Sequence, residues 1–414
     1  SVLYTFYPPL KAHPSFFIGA ALLVVGSWVA FFNWIKPYLQ WRRENPDKKT
    51  PLAVVGNLAN FTIWLIASLP VAYEILVILL PWSLGYVDEI NIMLSRTLFW
   101  FFGHPLVYFW LLPAYIIFYV MMTKEAGGKL YSDYAGRLVF MLFIIFSIPV
   151  GLHHQLTEPN ISQSLKVLHT IFTFGVAVPS MLTAFTLSAS LEYAGRQNGG
   201  KGLFGWMAKL PYFRKDRYLF AYSICGLVLF IFGGITGVIN GSYSMNLAVH
   251  NTSYLPGHFH MTVAGPVILA MLAKSLYLVN KVGGKPGKGR GLNLAVPYLW
   301  SFGLFFFSGG LIANGLLGAP RRTNMGVSYL NPESDLFRAD WVVPSHFTLL
   351  GGIIMSLAIL FFFVVFFLVI KCVFLIFREC QFSRHTPGPS DKTSHNTQKK
   401  KKTKKNKTKK QKNK

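Results

Sequence analysis

The chain has 414 residues, of which 52% are hydrophobic and only 13% charged, too apolar for a soluble protein of this length. Repeated runs of about 20 apolar residues instead predict an all-α, polytopic membrane helix bundle. The formal charge of +25 is not one basic surface: from Gln381 onward 13 Lys and Arg stand against a single acid, Asp391, and supply +12 of it.

Taken in order, the apolar runs and their punctuation give nine candidate spans: 15–35, 55–84, 97–122, 138–154, 167–191, 219–240, 258–279, 292–317 and 347–377. The connecting loops alternate in charge. The first carries Lys36, Arg42, Arg43, Lys48 and Lys49, whereas the second carries Asp88 and Glu89. The third holds Lys124, Lys129 and Arg137, and the fourth, around Glu158, is poor in base. The fifth is rich in Lys and Arg, the sixth (241–254) has neither, and the seventh carries Lys281, Lys285, Lys288 and Arg290. The eighth mixes Arg321, Arg322 and Arg338 with Glu333, Asp335 and Asp340. Excess Lys and Arg marks the cytoplasmic side, so the N-terminus is expected outside and the C-terminal tail in the cytoplasm. No signal peptide is visible at 1–9, and the chain does not begin with Met.

Two units are expected: a transmembrane helix bundle over 1–377 and a disordered, Lys-rich cytoplasmic tail over 378–414. The tail suits contact with anionic lipid, each surface Lys contributing about 1 kcal/mol. No folded reader accompanies it, so nucleic acid is not an expected partner; the bilayer is. Cys225, Cys372 and Cys380 have no metal-ligand spacing and read as reduced structural residues. Glu74, inside the second span without a basic neighbour in sequence, calls for a hydrogen bond from another helix. His169, His346 and Lys274 read as structural or interfacial.

Orientation places the histidines in depth. His104 lies about 10 Å below the outer surface on the third span, from about 1.5 Å of rise per residue. His153 and His154 end the fourth span, and His258 and His260 begin the seventh. Five histidines from three helices thus converge at one level. His104 and Tyr108, at i and i+4, share a face, and Pro105 between them is expected to disturb the backbone ladder. Tyr115 and Tyr119 continue that face inward, and Ser180 and Thr183 are neighbouring hydroxyls on the fifth span. Such a line suits proton delivery to a buried site; ordinary interhelical hydrogen bonding is the alternative. His153 and His154 diverge by about 100° on a regular helix but can turn toward one centre at a helix end. With His104 they offer three imidazoles, a donor set for copper or another first-row metal. His258 and His260, at i and i+2, point about 200° apart and can serve two sites on opposite sides of one helix.

These stretches carry a resemblance. Residues 98–119 with the core GHPLVYFWLLPAY, 151–155 with HHQ, 249–260 with VHNTSYLPGHFH, and Pro320-Arg321-Arg322 resemble subunit I of heme–copper oxygen reductases, the B-type cytochrome c oxidases above all. The similarity runs from Val2 to about Val343. The resemblance implies a terminal oxidase that reduces O2 to water and takes up and translocates protons. It implies that His104, His153 and His154 hold copper B and that Tyr108 is the catalytic tyrosine cross-linked to His104. His258 becomes the ligand of the high-spin heme and His260 of the low-spin heme, giving two hemes and one copper. Arg321 and Arg322 pair with heme propionates, unless they are interfacial anchors. Tyr115, Tyr119, Ser180 and Thr183 line the proton pathway. Expected partners are a subunit II with a copper centre and a cytochrome c or similar donor.

Two departures bear on this. The family supplies the second axial histidine of the low-spin heme from an early helix, and His13 is the only histidine ahead of His104. The chain is therefore expected to be a fragment; the other readings are a separate polypeptide carrying the missing N-terminal helices, or a lost site. Asn246 stands where some members carry an acid, which leaves His250 and the propionates as candidates for proton exit. The competing functions are a nitric oxide reductase-like member of the superfamily and a truncated, non-catalytic membrane product.

Overall fold

The computed structural model describes residues 7–283, 290–322 and 327–385, with side chains up to 371 apart from 283 and 290. Among these residues it is all helical, with nine helices long and apolar enough to cross a membrane. They are α1 (Pro14–Glu44), α2 (Leu52–Leu84), α3 (Ile92–Glu125), α4 (Asp133–Gln155), α5 (Gln163–Gln197), α6 (Lys215–Gly241), α7 (Tyr254–Val282), α8 (Gly291–Leu316) and α9 (Ala339–Lys371). Every expected span is present. The backbone helix of α9 continues to His385, eight residues beyond the expected end of the bundle at 377. The remaining expected tail, 386–414, and the side chains of Cys372 and Cys380 lie outside the described residues.

Helix is the form in which such runs satisfy their own backbone without water. Starts are capped by side chains: Asn91 accepts from Leu94 N at 2.9 Å, Ser132 from Ala135 N at 3.1 Å and Ser162 from Leu165 N at 3.4 Å. His13 does the same for α1, accepting from Ser15 N. α2 stops at Gly85, whose φ of 79° takes the left-handed conformation that ends a helix. α3 stays helical through Pro105, so the expected break is not there; the departure from α geometry is a π turn at Phe118–Met122. Two further π turns occupy Glu74–Leu79 and His260–Ala264.

Three buried clusters fill the bundle. One joins α1 and α2 to Phe102 of α3, a second joins α2 through α7, and a third joins α6 through α9. α2 and α3 each contribute to the first two clusters, and α6 and α7 to the last two, so the second cluster links the other two. α1 is the least enclosed and is tied to α2 by a reciprocal pair of bonds: Trp28 Nε1 donates to Ser68 at 2.8 Å, and Trp64 Nε1 donates to Ser27 at 2.7 Å. Glu74, fully buried, accepts a hydrogen bond from Ser95 of α3 at 2.6 Å, which is the interhelical partner expected for it. Lys49 and Arg137 both pair with Asp133 at the basic end, and Arg96 pairs with Glu158 at the other. Cys225 is buried and free.

Candidate functional site

The site forms where the end of α4 meets α3. After Ser147, residues Ile148–Gln155 leave the α register for a 3-10 turn, with Pro149 at non-helical φ −91°, ψ 47°. This tighter winding swings His153 and His154 to one side. Gly151 permits the approach: a Cβ there would lie 1.7 Å from the Trp100 carbonyl oxygen of α3. The three ring-nitrogen donors of His104, His153 and His154 lie within 4.8 Å of one another, all buried.

Partners decide which nitrogen faces the centre. His104 Nε2 is 3.0 Å from Tyr108 Oη, and its Nδ1 lies 3.1 Å from His154 Nε2. His153 Nδ1 is bonded to Thr173 of α5 at 2.8 Å, which leaves Nε2 free. His104 therefore offers Nδ1, while His153 and His154 offer Nε2. No carboxylate belongs to the set. Three imidazoles in a buried pocket suit copper among the first-row metals, so the residues fit the metal expected from the sequence. Tyr108 closes one side of the pocket. Trp100 closes another, stacked on His154 with ring centroids 3.9 Å apart.

α7 brings the other two histidines. His258 is buried against α6, its Nδ1 3.1 Å from the Gly233 carbonyl and 2.9 Å from Thr236 Oγ1. Gly237 has no side chain to crowd the ring; a Cβ there would lie 2.9 Å from His258 Cε1. Both Nδ1 partners lie on one edge, which leaves Nε2 bare, the form in which imidazole binds iron. His260 points elsewhere, with Nδ1 2.7 Å from the Pro256 carbonyl and its ring against Phe307 of α8. The two imidazoles thus contact different helices. An open groove of about 630 Å³ is lined by Phe307, Ser345, Thr348, Leu349, Gly352, Ile353 and Ser356.

The remaining expected residues fall into two groups. Along α3, Tyr115 Oη reaches Ser180 at a long 3.5 Å and Tyr119 Oη reaches Thr183 at 2.9 Å. All four are thus paired across α3 and α5. At the base-poor end, Arg321 N and Nη2 bond to the carbonyl and side chain of Asn251 at 3.0 and 3.2 Å. Arg321 Nε is buried without a partner, a donor that suits an anionic group. Burial and the neighbouring Arg322 push the Arg321 guanidinium down to about 10. Arg322, at φ 60°, stacks its guanidinium over the Tyr7 ring at 4.3 Å, and Arg96 covers the same ring at 4.6 Å. His250 is half-buried nearby, and burial holds its imidazole below the ordinary value against the pull of Glu158. Asn246 Nδ2 donates to Asn240 O at 2.7 Å and Oδ1 at 3.1 Å, so its amide is oriented and its own Oδ1 is left unpaired.

Sequence reasoning missed Trp100, Thr173, Thr236 and Tyr7. Trp100 stands at i−4 from His104 and was discoverable from spacing. The others act across tens of residues, where no local pattern signals them.

The family model described as "Cytochrome C and Quinol oxidase polypeptide I" matches residues 1–354. Cytochrome c oxidase subunit 1 of Thermus thermophilus is 44% identical over 364 residues, 87% of this chain and 63% of that protein. Its counterpart in Bacillus subtilis is 25% identical, across 77% of this chain and 50% of that protein. Among solved structures, a heme–copper terminal oxidase dimer determined by cryo-EM superposes with a TM-score of 0.85 at 52% identity, covering 89% of this chain and 65% of that one. The chain thus spans less than two thirds of the length of these relatives.

Proposed function

The chain belongs to the cytochrome c and quinol oxidase polypeptide I family, and on that premise we propose that it forms the oxygen-reducing core of a terminal respiratory oxidase. One observation carries the proposal: three buried imidazoles face one centre within 4.8 Å, and a tyrosine hydroxyl touches one of them at 3.0 Å. We assign His104, His153 and His154 to copper B, His258 to a high-spin heme, His260 to a low-spin heme, and Arg321 and Arg322 to the heme propionates. When bound, the hemes and copper supply electron transfer and the reduction of O2 to water.

The residues of the chain supply the rest. Tyr108 holds a proton on Oη beside His104 Nε2, at hydrogen-bond distance from the ligand it serves. Thr173 and Trp100 orient His153 and His154. Tyr119 with Thr183, then Tyr115 with Ser180, pass protons from the basic end toward Tyr108. The buried aromatic and aliphatic side chains of α3, α4 and α6 exclude water from this line except at the hydroxyls. Arg321 Nε and Arg322 hold negative charge at the opposite end, where His250 is placed to receive a proton on its way out. Asn246 cannot take one, because an amide has no titrating proton at these pH values.

The basic ends of the helices face the cytoplasm of a prokaryotic plasma membrane in this reading. A copper-bearing subunit II and a c-type cytochrome supply electrons from outside. Residues 1–377 form the catalytic bundle, and the Lys-rich segment that follows meets the cytoplasmic lipid surface.

Metal and heme analysis of the purified membrane complex, with oxygen and nitric oxide turnover measured on the same sample, tests the assignment. Copper at the three-histidine site with oxygen turnover is expected. Iron at that site with nitric oxide turnover alone overturns it in favour of a nitric oxide reductase, and absence of any heme signal overturns catalysis.

A further inference from the structure

We propose that Thr236 is a positioning residue that strengthens His258 as an electron donor to iron, by giving its Nδ1–H a second acceptor. The proposal rests on His258 being a heme ligand. Its basis is a closed triangle of polar atoms on one face of α6. Thr236 Oγ1 lies 2.6 Å from the Gly233 carbonyl oxygen and 2.9 Å from His258 Nδ1, and that same Nδ1 is 3.1 Å from the Gly233 oxygen.

One arrangement of protons satisfies all three atoms. A hydroxyl has one hydrogen and two lone pairs, and a carbonyl has lone pairs only. If the Thr236 hydroxyl donated to Nδ1, the Gly233 oxygen would face two lone pairs at close range and receive no hydrogen from either. With the threonine hydrogen on the Gly233 oxygen and the imidazole hydrogen on Nδ1, each contact has a donor. The Nδ1–H is then shared between Gly233 O and Thr236 Oγ1. The tautomer is fixed, Nε2 carries the free pair, and two acceptors draw the Nδ1 hydrogen outward, which raises the basicity of the ligating nitrogen.

The triangle has no slack. Thr236 O accepts from the buried Tyr254 Oη at 2.8 Å, which pins the backbone that carries the hydroxyl. Gly233 meets α7 with its bare Cα: a Cβ would lie 2.7 Å from Thr262 N. At Gly237 it would strike the His258 ring. α6 and α7 are as close as glycine allows, so the imidazole cannot tilt away from Thr236 to relieve a lost bond.

Resonance Raman spectroscopy of the reduced complex reads the donor strength directly through the iron–histidine stretch of the high-spin heme. Thr236→Val keeps the shape and removes the hydroxyl; the band is expected to move to lower frequency, whereas Thr236→Ser keeps it in place. Outer partners of metal ligands typically contribute about 10-fold or more to affinity. If ferric iron loses about 10-fold relative to ferrous, the high-spin heme potential rises by about 59 mV. Thr236→Ala gives the same readout without crowding should the valine protein fail to assemble. An unmoved band in Val and Ala, or a shift in Ser as large as in Val, overturns the proposal. Loss of heme in both Val and Ala also overturns it, by making Thr236 a packing residue. Failure of the underlying assignment looks different: no iron–histidine band in the parent protein, or a band that survives His258→Gly.

Discussion

Gly151→Ala is the smallest change that separates the two walls of the metal site. A Cβ at 151 would lie 1.7 Å from the Trp100 carbonyl oxygen and 2.5 Å from its carbon, both backbone atoms of α3. Ordinary non-bonded contact is about 3.5 Å, so the 3-10 turn moves off α3 by about 1.8 Å. Helix backbone cannot yield as a flexible side chain can. His153 and His154 follow two and three residues later, so the displacement reaches the ligands almost undiminished. Misplacement of about 1 Å is enough to cost about 100-fold in rate, and overpacking of this kind costs about 1–3 kcal/mol of stability. The three atoms nearest the new Cβ all belong to α3, so heme should remain. The expected result is copper reduced about 10-fold relative to heme, by elemental analysis, with oxygen consumption down about 100-fold. A variant with full copper and turnover within about two-fold of the parent would refute the reasoning, because it would mean that the turn is not held against Trp100.

Tyr108→Phe should keep copper, since no ligand is lost, while oxygen turnover falls by about 100-fold or more; a small effect would deny Tyr108 its proton role. Tyr119→Phe should slow proton uptake in stopped-flow measurements far more than Ser180→Ala, because the first breaks a 2.9 Å bond and the second a 3.5 Å one. The reverse order would place the proton line elsewhere. His250 has its folded value depressed chiefly by burial, so the folded state resists its protonation. Its contribution to stability is complete above the ordinary imidazole value of 6.5 and declines as pH falls below it toward the folded value. His250→Gln should therefore flatten the acid side of the melting-temperature profile below about pH 6.5, and an unchanged profile would contradict the burial argument. Trp28→Phe should lower the melting temperature slightly, in line with about 0.6 kcal/mol for a membrane hydrogen bond, and by no more than Trp64→Phe, whose ring is also part of the α1–α2 contact.

Hydropathy located all nine helices because the bilayer imposes one length scale on every run. It set some of their ends short: α1 continues to Glu44 through Trp41, Arg42 and Arg43, and α5 to Gln197. Helix persists at the interface on capping and side-chain contacts, to which an apolar count is blind. The convergence of His104, His153 and His154 was legible because charge in the loops orders the spans and so assigns depth. The π turns were not, since hydrophobic content carries no record of register. Proline at 105 signalled a break that α3 does not make, while the turn at Phe118–Met122 itself contains no proline. Thr173, at 20 residues from His153, and Thr236, at 22 from His258, depend on helix packing alone.

The π turn at His260–Ala264 makes length, rather than composition, the constraint on α7. A π turn holds one residue more than the α register. Deleting any one residue from it would restore an unbroken α-helix and rotate the stretch before it by about 100° against the stretch after it. Gly265 would stay packed on Leu229 while His258 left the Gly233 face altogether. The number of positions between the histidines and Gly265 is therefore fixed. The turn works as a phase offset, setting the angle between the half of the helix that carries chemistry and the half that anchors it.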